Sequence, residues 1–543
     1  MRAYPPYTSK RKIQLVISNT PYTILARRKQ LLLIRIAIAL FIIIFIVVQL
    51  NVINYDFHPP SNTESSSNNN DTTQAILQSI PQVLHKYLKP RNNSQATNSS
   101  QATNNDRYQA INISDIQRSI ERYNEYQTII NEDVFGPLQN DSIVIVVQVH
   151  KRITYLRHLI VSLAQAKDIS KTLLIFSHDF YDEEINDLVQ SIDFCKVMQI
   201  FYPFSIQTHP NEFPGTDPKD CKRDMKKEQA AIVKCQNADF PDLYGHYREA
   251  SFTQTKNHWW WKANRVFDQL EVTRYHTGLM LFLEEDHYVA EDFLYLLKMM
   301  QLKAYELCSK CNVMSLGTYL KTFNYYTYNN NHKKEKALFG SFYGSSLSNN
   351  NNAFHSKNTQ NHNSLSNGAN LRANHVETTT TLTWAFQAVP TLYSVYQKVE
   401  VTPWISSKHN MGMAFNRSTW HQIKNCAKYF CSYDDYNWDW SLQHTSHQCL
   451  KKKLFAMVVR GPRVFHIGEC GVHHKKNNCE SNQVISKVQQ VISVATKAGQ
   501  LFPKNLMLTV ASVVKKQKIR KGNGGWGDKR DHLLCLNMTL GVR

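Results

Sequence analysis

The stretch SIVIVVQVHKRITYLRHLIVSLAQA, residues 142–166, decides the fold. It begins with a continuous run rich in β-branched residues, typical of a strand covered on both faces, and its second half carries apolar residues at helical spacing. Two further apolar runs, LLIFSHD (173–179) and VMQIFYPF (197–204), flank a helix that Asp182 can cap. This alternation predicts βαβ units on a largely parallel sheet, and therefore an α/β fold.

The stretch LFLEEDHYVAEDF (281–293) ends another apolar strand on a charged cluster, Glu284 to His287. A helix over about 291–307 and a strand at 312–319 are predicted after it. Ligands of open α/β sheets bind at the carboxyl ends of the strands. Because chargeable residues also follow the first two strands, at 150–152 and 177–179, we expect one crevice lined by all three strand ends.

The charged cluster has three interpretations, and the first is a divalent-cation site. Hard oxygen ligands suit Mg²⁺ or Mn²⁺, and an imidazole shifts the preference towards Mn²⁺. Such an ion could stabilise charge on a departing phosphate oxygen. An acidic loop in water and a helix start that favours carboxylates remain open as alternatives.

Two later segments also carry candidate chemistry. In YDDYNWDW (433–440) the carboxylates of Asp434, Asp435 and Asp439 alternate with aromatic rings, as in sugar sites, where a carboxylate can also act as a general base. The alternative is an aromatic core patch with a capping Asp. In RVFHIGECGVHHKK (463–476) the histidines His466, His473 and His474 are either metal ligands or structural residues.

The amino-terminal region predicts a membrane anchor. LLLIRIAIALFIIIFIVVQL, residues 31–50, is long enough to span a bilayer as a helix. Seven Lys and Arg residues precede residue 30 and none lies between 51 and 85, which places the amino terminus in the cytosol. A cleaved signal peptide is the alternative. The basic residues beside the span account for much of the net charge of +20, so no nucleic-acid partner is expected.

The predicted organisation follows from these features. We expect a cytosolic tail (1–30), a signal-anchor (31–53), a stem (54–135) and a lumenal catalytic domain (136–543). Residues 54–105 are polar and rich in Asn and Ser, as in flexible stems. A second Asn-rich stretch, at about 324–380, is predicted to be an insertion in the catalytic domain. All eleven cysteines follow residue 190, which indicates an oxidising compartment and at least one unpaired thiol.

Residues 142–535, without the insertion, resemble the N-acetylglucosaminyltransferase II family. The resemblance is carried by these blocks: VVQVHKRITYLRHL, LLIFSHDFY, PFSIQTHPNEFPGTDPKDC, GHYREASFTQTKNHWWWK, LFLEEDHYVAEDF, KHNMGMAF, CSYDDYNWDWSLQ, RVFHIGECGVHHKK and NGGWGDKRDH. It implies a type II Golgi membrane enzyme with a GT-A fold. It also implies inverting transfer of GlcNAc from UDP-GlcNAc, in β1,2 linkage, to the α1,6-arm mannose of N-glycans.

The resemblance also implies roles for individual residues. Asp439 is the expected catalytic base, and Asp286 and His466 are the expected ligands of Mn²⁺. Residues expected to bind the donor or its sugar are Gln148, Val149, His150, Lys151, Arg152, Asp179, Gln254, Thr255, Lys256, Asn257, His258 and Asn410. Tyr436 and Asn437 are expected to help bind sugars. The implied disulfides are Cys221–Cys235, Cys308–Cys311, Cys426–Cys449, Cys431–Cys535 and Cys470–Cys479, which leaves Cys195 free.

Two rival functions remain. A related β1,2-N-acetylglucosaminyltransferase would act on the α1,3 arm or on O-linked mannose, and a membrane-tethered lectin on the same fold would lack catalysis. The lectin predicts loss of the base or of a metal ligand, whereas all three residues are present. The insertion follows LGTYL, where the family's chain runs on directly towards KHNMG, so no contact is carried over from that interval. A homodimer is a further possible assembly.

Overall fold

The computed structural model describes residues 76–89, 112–317, 397–468, 481–510 and 521–541. The predicted tail, signal-anchor and Asn-rich insertion lie outside these ranges, as do His473, His474 and the predicted Cys470–Cys479 bridge. Within the ranges, no helix combines the length and the apolar character needed to cross a membrane.

The described chain alternates strands and helices. The strands are β1 (Ile129–Ile130), β2 (Val144–Val149), β3 (Leu173–His178), β4 (Lys196–Phe201), β5 (Leu279–Glu284), β6 (His287–Val289), β7 (Val313–Ser315), β8 (Lys398–Pro403), β9 (Met413–Asn416), β10 (Phe455–Val459), β11 (Val464–His466) and β12 (Met507–Val510). The α-helices are α1 (Ile113–Tyr126), α2 (Glu132–Phe135), α3 (Ile153–Ala164), α4 (Glu183–Gln190), α5 (Lys227–Val233), α6 (Ala250–Asn264), α7 (Phe293–Leu307), α8 (Ser406–His409), α9 (Arg417–Lys424), α10 (Ala427–Ser432), α11 (Trp438–Gln448), α12 (Ser481–Lys497) and α13 (Lys529–Leu540).

Ten strands form one mixed sheet in the order β1-β4-β3-β2-β5-β9-β7-β10-β8-β12. Its neighbouring strands β4, β3, β2 and β5 are all parallel, and β9 enters antiparallel between β5 and β7. The predicted α/β fold with βαβ units is therefore confirmed. Asp182 caps α4 as expected, because its carboxylate accepts the amide of Ile185 at 2.9 Å.

The sheet is covered on both faces. Along β2, Val144 and Val146 belong to one apolar cluster, while Ile145 and Val147 belong to the other. Successive strand residues point to opposite faces, so an uninterrupted apolar run is what a strand between two layers requires. The tryptophan-bearing helix α6 contributes Trp259 to the Val144 side, and α3 and α7 pack on the opposite side.

Part of the predicted stem packs against this fold. Ile76, Ile80 and Tyr87 are buried in the larger apolar cluster, and the Tyr87 hydroxyl donates to Asp193 at 2.6 Å. Helix α1 also belongs to the predicted stem, and β1 pairs antiparallel with β4. Residues 76–88 thus differ from the expected flexible polar chain, because a few apolar side chains find partners that are distant in sequence.

Four of the five implied disulfides are confirmed: Cys221–Cys235, Cys308–Cys311, Cys426–Cys449 and Cys431–Cys535. Cys195 is free and buried in the core, also as expected. The Cys431–Cys535 bridge joins α10 to α13, so the carboxyl-terminal helix is covalently tied to the region around the predicted base.

Candidate active site

The two predicted metal ligands lie together. Asp286 occupies the tight turn between β5 and β6, and β6 pairs with β11 so that His287 lies opposite His466. This ladder brings His466 Nε2 to within 3.1 Å of Asp286 Oδ2. The distance allows both side chains to share one cation.

The donor set suits a divalent ion. Asp286 Oδ1 is buried and has no hydrogen-bond partner among the described residues. Glu284, Asp286 and His287 also offer ligand atoms that all lie within 4.8 Å of one another. Carboxylate and imidazole ligands fit Mn²⁺ or Mg²⁺. Burial alone would raise the pKa of Asp286, but His466 and Arg152 hold it well below its usual range, so the carboxylate is ionised.

Glu285, which lies between Glu284 and Asp286, has a different role. Its Oε2 accepts the backbone amide of His150 at 2.7 Å, and its Oε1 accepts Arg152 Nε at 2.8 Å. Arg152 Nη1 also lies 2.8 Å from Asp286 Oδ2. Glu285 therefore joins the ends of β2 and β5, and it positions a guanidinium across the candidate metal site.

The residues that follow β2 and β3 gather at the same sheet edge. Asp179 Oδ1 lies 2.6 Å from His150 Nδ1, and its Oδ2 lies 3.3 Å from His258 Nδ1. His258 is fully buried and its Nε2 bonds Ser177 Oγ at 2.8 Å, whereas about half of the His150 side chain is exposed. His150 can therefore meet a ligand while Asp179 holds its ring.

The other residues in and just after β2 that are predicted to bind the sugar-nucleotide donor lie close by. Gln148 Oε1 accepts Lys262 Nζ at 2.6 Å, Val149 is buried in the core, and Lys151 Nζ lies 3.8 Å from the centre of the Phe180 ring. Burial lowers the pKa of Lys262 to about 7, against the opposing charge of Glu284. The buried Lys262 thus interacts with the half-buried Glu284 at the end of β5.

Most of the α6 residues that are predicted to bind the sugar-nucleotide donor point into the protein. Gln254 Oε1 accepts the Ile206 amide at 2.7 Å, and Asn257 Nδ2 donates to Asp531 at 3.1 Å. Lys256 Nζ donates to the carbonyls of Tyr433 and Asp435 at 3.1 and 3.0 Å. Thr255 is half-buried. Of this group only His258 joins the His150 cluster, so donor contacts for the others stay predictions.

Asp439 lies in the first turn of α11 and is half-buried. Its Oδ2 accepts Asn410 Nδ2 at 3.1 Å, and its Oδ1 accepts the Trp440 amide at 2.9 Å. Burial raises its pKa to about 7, with further contributions from the charges of Asp435 and Glu284. A carboxylate whose pKa lies near neutrality is suited to general-base catalysis.

Asn410 connects this carboxylate to the metal-ligand strand. Met411 O accepts the Gly317 amide at 3.1 Å, and Gly412 O accepts the Leu316 amide at 3.0 Å. Leu316 O in turn accepts the amide of Val464, the first residue of β11, at 3.1 Å. The segment KHNMG thus spans the interval between the candidate base and His466.

The other two carboxylates of YDDYNWDW are structural. Asp434 accepts the amides of Leu243 and Trp526 at 2.6 and 2.9 Å. Asp435 accepts the amides of Asn437 and Asn523 at 2.9 and 3.0 Å. Neither residue caps α11, which begins after Asn437 without a side-chain cap; both carboxylates instead tie loops together through backbone amides.

A cavity of about 480 Å³ adjoins α11, and sequence reasoning missed most of its lining. Its polar and aromatic walls include Arg223, Asp242, His246, Phe252, Tyr436 and Trp440. Tyr436 and Asn437, predicted to bind sugars, both line it. The block GHYREASF (245–252) was a signal for part of it, but nothing local in the sequence indicates that this block lies beside residue 440.

Carboxylate and imidazole groups at strand ends, a general-base candidate and an aromatic cavity fit an enzyme of the glycosyltransferase class. The family model described as N-acetylglucosaminyltransferase II (MGAT2) matches residues 117–363 and 355–535. The chain belongs to the N-acetylglucosaminyltransferase II family.

Several relatives share most of their length with this chain. It is 40% identical over 409 residues to the alpha-1,6-mannosyl-glycoprotein 2-beta-N-acetylglucosaminyltransferase of Rattus norvegicus, covering 75% of this chain and 77% of the relative. The Homo sapiens protein of that name is 38% identical over 409 residues, covering 75% and 76%. The Arabidopsis thaliana protein is 32% identical over 422 residues, covering 76% and 78%.

Two solved structures that match are remote in sequence. The S. aureus TarS 1-349 crystal structure covers 67% of this chain and 76% of its own, at 9% identity and a TM-score of 0.25. Mouse xyloside xylosyltransferase 1 in its apo form covers 32% and 52%, at 10% identity and a TM-score of 0.19. Similarity at this level carries no argument about the fold.

Proposed function

We propose that this chain transfers GlcNAc from UDP-GlcNAc, in β1,2 linkage, to the mannose of the α1,6 arm of N-glycans, converting hybrid to complex glycans. Family membership supports this acceptor. The observation that carries the chemistry is the 3.1 Å distance between His466 Nε2 and Asp286 Oδ2. Asp439 lies near this pair, because the charge of the neighbouring Glu284 contributes to raising the pKa of Asp439.

The proposed reaction is a single inverting displacement on a GT-A fold. Asp439 accepts the proton of the mannose 2-hydroxyl, and that oxygen attacks C1 of GlcNAc from the face opposite UDP. The hydrogen bond from Asn410 orients the Asp439 carboxylate for this transfer. By analogy with glycoside hydrolysis, positive charge develops on the sugar ring in the transition state.

The residues around Asp286 would hold the diphosphate side of the donor. A divalent cation bound by Asp286 and His466 would supply Lewis-acid stabilisation of the departing phosphate. Arg152, fixed by Glu285, places a permanent positive charge at the same point. His150, braced by Asp179, is available to the nucleoside.

The cavity beside α11 is the proposed acceptor subsite. The rings of Tyr436 and Trp440 offer apolar faces for sugar C–H groups, while Arg223 and Glu249 supply a donor and an acceptor for hydroxyls. Asp439 immediately precedes Trp440, so a glycan bound here passes close to the base.

The proposed setting is the Golgi membrane. We propose a single-pass type II protein, anchored through residues 31–53, with its catalytic domain in the lumen. The disulfides support an oxidising compartment. Mn²⁺ is the proposed cofactor, and a homodimer is a possible assembly.

A transfer assay tests the function. The full-length protein, in detergent micelles, is incubated with UDP-GlcNAc, Mn²⁺ and a biantennary glycan that already carries GlcNAc on its α1,3 arm. We expect one further GlcNAc, in β1,2 linkage, on the α1,6 arm. A free α1,3 arm and an O-linked mannose serve as competing acceptors.

Each rival has its own outcome. Preferential transfer to either competing acceptor would assign the chain the acceptor of a related transferase. Glycan binding without transfer, by folded protein whose Asp439→Asn variant behaves identically, would favour the lectin.

A further inference from the structure

A cavity of about 630 Å³ lies at the end of the sheet opposite the candidate active site. Ser142, Lys171 and Lys196 line it, and these residues lie at or just before the first residues of β2, β3 and β4. The active-site residues His150 and Asp179 follow the last residues of β2 and β3. Since these strands are parallel, the cavity is separated from the catalytic cleft by the length of the strands.

Lys196 is a buried lysine in this cavity whose ammonium lacks close hydrogen-bond acceptors among the described residues. It is 2% exposed, and among the described residues its ammonium makes one long contact, 3.5 Å to the carbonyl of Phe135. An ammonium has three protons to donate, and a buried charge without adequate partners costs free energy. Burial accordingly lowers the pKa of Lys196. An anion in the cavity would supply the missing acceptors.

Two further lysines add positive charge around the opening. Lys171 and Lys298 line the cavity, and the lining includes a single carboxylate, Asp141. Lys171 is paired with the neighbouring Asp168 at 2.6 Å, and the charge of Lys298 also acts on Asp168. The Glu132 carboxylate acts on Lys196. These acids moderate the field but leave the ammonium of Lys196 without a close acceptor.

The remaining wall is partly apolar and partly polar, the polar side chains being Gln139, Ser170 and Gln301. Val134, Phe135, Pro137 and Leu302 line the cavity, and Val134 and Leu302 are 69% and 64% exposed. Exposed apolar side chains beside a buried cation match a ligand that joins an oxyanion to an apolar body. A bare inorganic anion would use only the lysines.

We propose that this cavity binds a phosphate or sulfate monoester whose oxyanion contacts Lys196 and Lys298 and whose apolar body lies against Phe135 and Leu302. Charge-assisted hydrogen bonds supply the polar part of the binding energy, and the apolar wall selects esters over inorganic phosphate. The inference is independent of the transferase activity proposed above, because no residue of the cavity belongs to the catalytic cleft.

The test is a calorimetric titration of the full-length protein, in micelles, with phenyl phosphate. Saturating UDP is present throughout, so that the donor site cannot account for the signal. We expect saturable binding that is stronger than that of inorganic phosphate or of phenol. Phenyl sulfate, titrated in parallel, separates a phosphate-specific site from a general oxyanion site.

Two variants assign the site. Lys196→Met and Lys298→Gln should each weaken phenyl phosphate binding by roughly tenfold or more, the usual effect of losing a charged hydrogen-bond donor. The matched control is Lys428→Gln with Lys451→Gln, two exposed lysines elsewhere on the protein. GlcNAc transfer should be unchanged in Lys298→Gln.

The outcomes separate clearly. Absence of binding to wild-type protein in the presence of UDP overturns the proposal. So does binding that the control pair weakens as much as Lys298→Gln does, because the effect would then be one of net charge. Should Lys196→Met fail to fold, the surface variant Lys298→Gln decides the question alone.

Discussion

Replacing Gly468 by alanine should impair metal binding without unfolding the protein. Gly468 follows β11 and lies against the candidate metal site. A Cβ at this position would lie 2.2 Å from Asp286 Oδ2 and 3.0 Å from its Cγ, whereas real Cβ contacts essentially never fall below 3.0 Å. The Asp286 carboxylate must therefore move by about 0.8 Å. Metal–ligand distances are expected to lie within about 0.2 Å of their usual values.

The expected magnitude follows from this geometry. The Asp286 backbone is held by the Ile467 amide, which donates to Asp286 O at 2.9 Å, so the side chain has to absorb the displacement. Disturbing the support of a metal ligand typically costs about 10–100-fold in metal affinity or activity. We expect a loss in this range for Gly468→Ala, measured as the Mn²⁺ concentration that half-saturates GlcNAc transfer and as Mn²⁺ binding by electron paramagnetic resonance.

Two comparisons make the result decisive. Asp286→Asn serves as the positive control, since it removes a ligand charge at the same point. Thermal unfolding of Gly468→Ala in the presence of EDTA shows whether the fold is retained. A folded Gly468→Ala variant with wild-type Mn²⁺ affinity would refute the assignment of Asp286 as a metal ligand.

Four further predictions concern Asp439 and the core. Because the base must be ionised, kcat/KM for the acceptor should fall about tenfold per pH unit below about 7; a profile flat down to pH 5 would exclude Asp439 as the base. Asp439→Asn should lower kcat by about 10²–10⁴-fold. Because the pKa of Asp439 is raised in the folded state, the stability of the folded state falls as pH rises from about 4 to 7. Asp439→Asn removes this cost and should melt no lower than wild type at pH 8. A markedly lower melting temperature would contradict the reasoning. Asp292→Ala should lower the free energy of unfolding by about 3–5 kcal/mol, because Arg463 is fully buried and pairs with Asp292 at 2.9 Å; urea denaturation measures it, with Glu306→Ala of the exposed Lys303 pair as the control expected to lose less than about 1 kcal/mol.

The fold was largely predictable because its signals are local. The strands at 144–149 and 173–178 are continuous apolar runs, and the cap at Asp182 lies beside the helix that it begins. Each feature is set by neighbours within a few residues. The packing of Ile76 and Tyr87 was not predictable in this way, since their partners lie far along the chain.

The site was predictable in part. The resemblance singled out Asp286, His466 and Asp439, and the first two do lie together. The roles of Asp434 and Asp435 could not be read from YDDYNWDW, because three of the four amides that they accept belong to the distant residues Leu243, Trp526 and Asn523. Lys256 is a similar case, since its acceptors are carbonyls of a distant loop.

By itself the sequence determined the α/β class, the order of the first strands, the charged strand ends and the odd number of cysteines. These follow from periodicity, residue type and arithmetic, which need no knowledge of distant contacts. Only the tertiary structure decided which carboxylates are tied to backbone amides and which remain available for chemistry. The physical reason is that the ionisation and the use of a carboxylate depend on its burial and on its hydrogen-bond partners, and those partners are brought to it by strand pairing and helix packing.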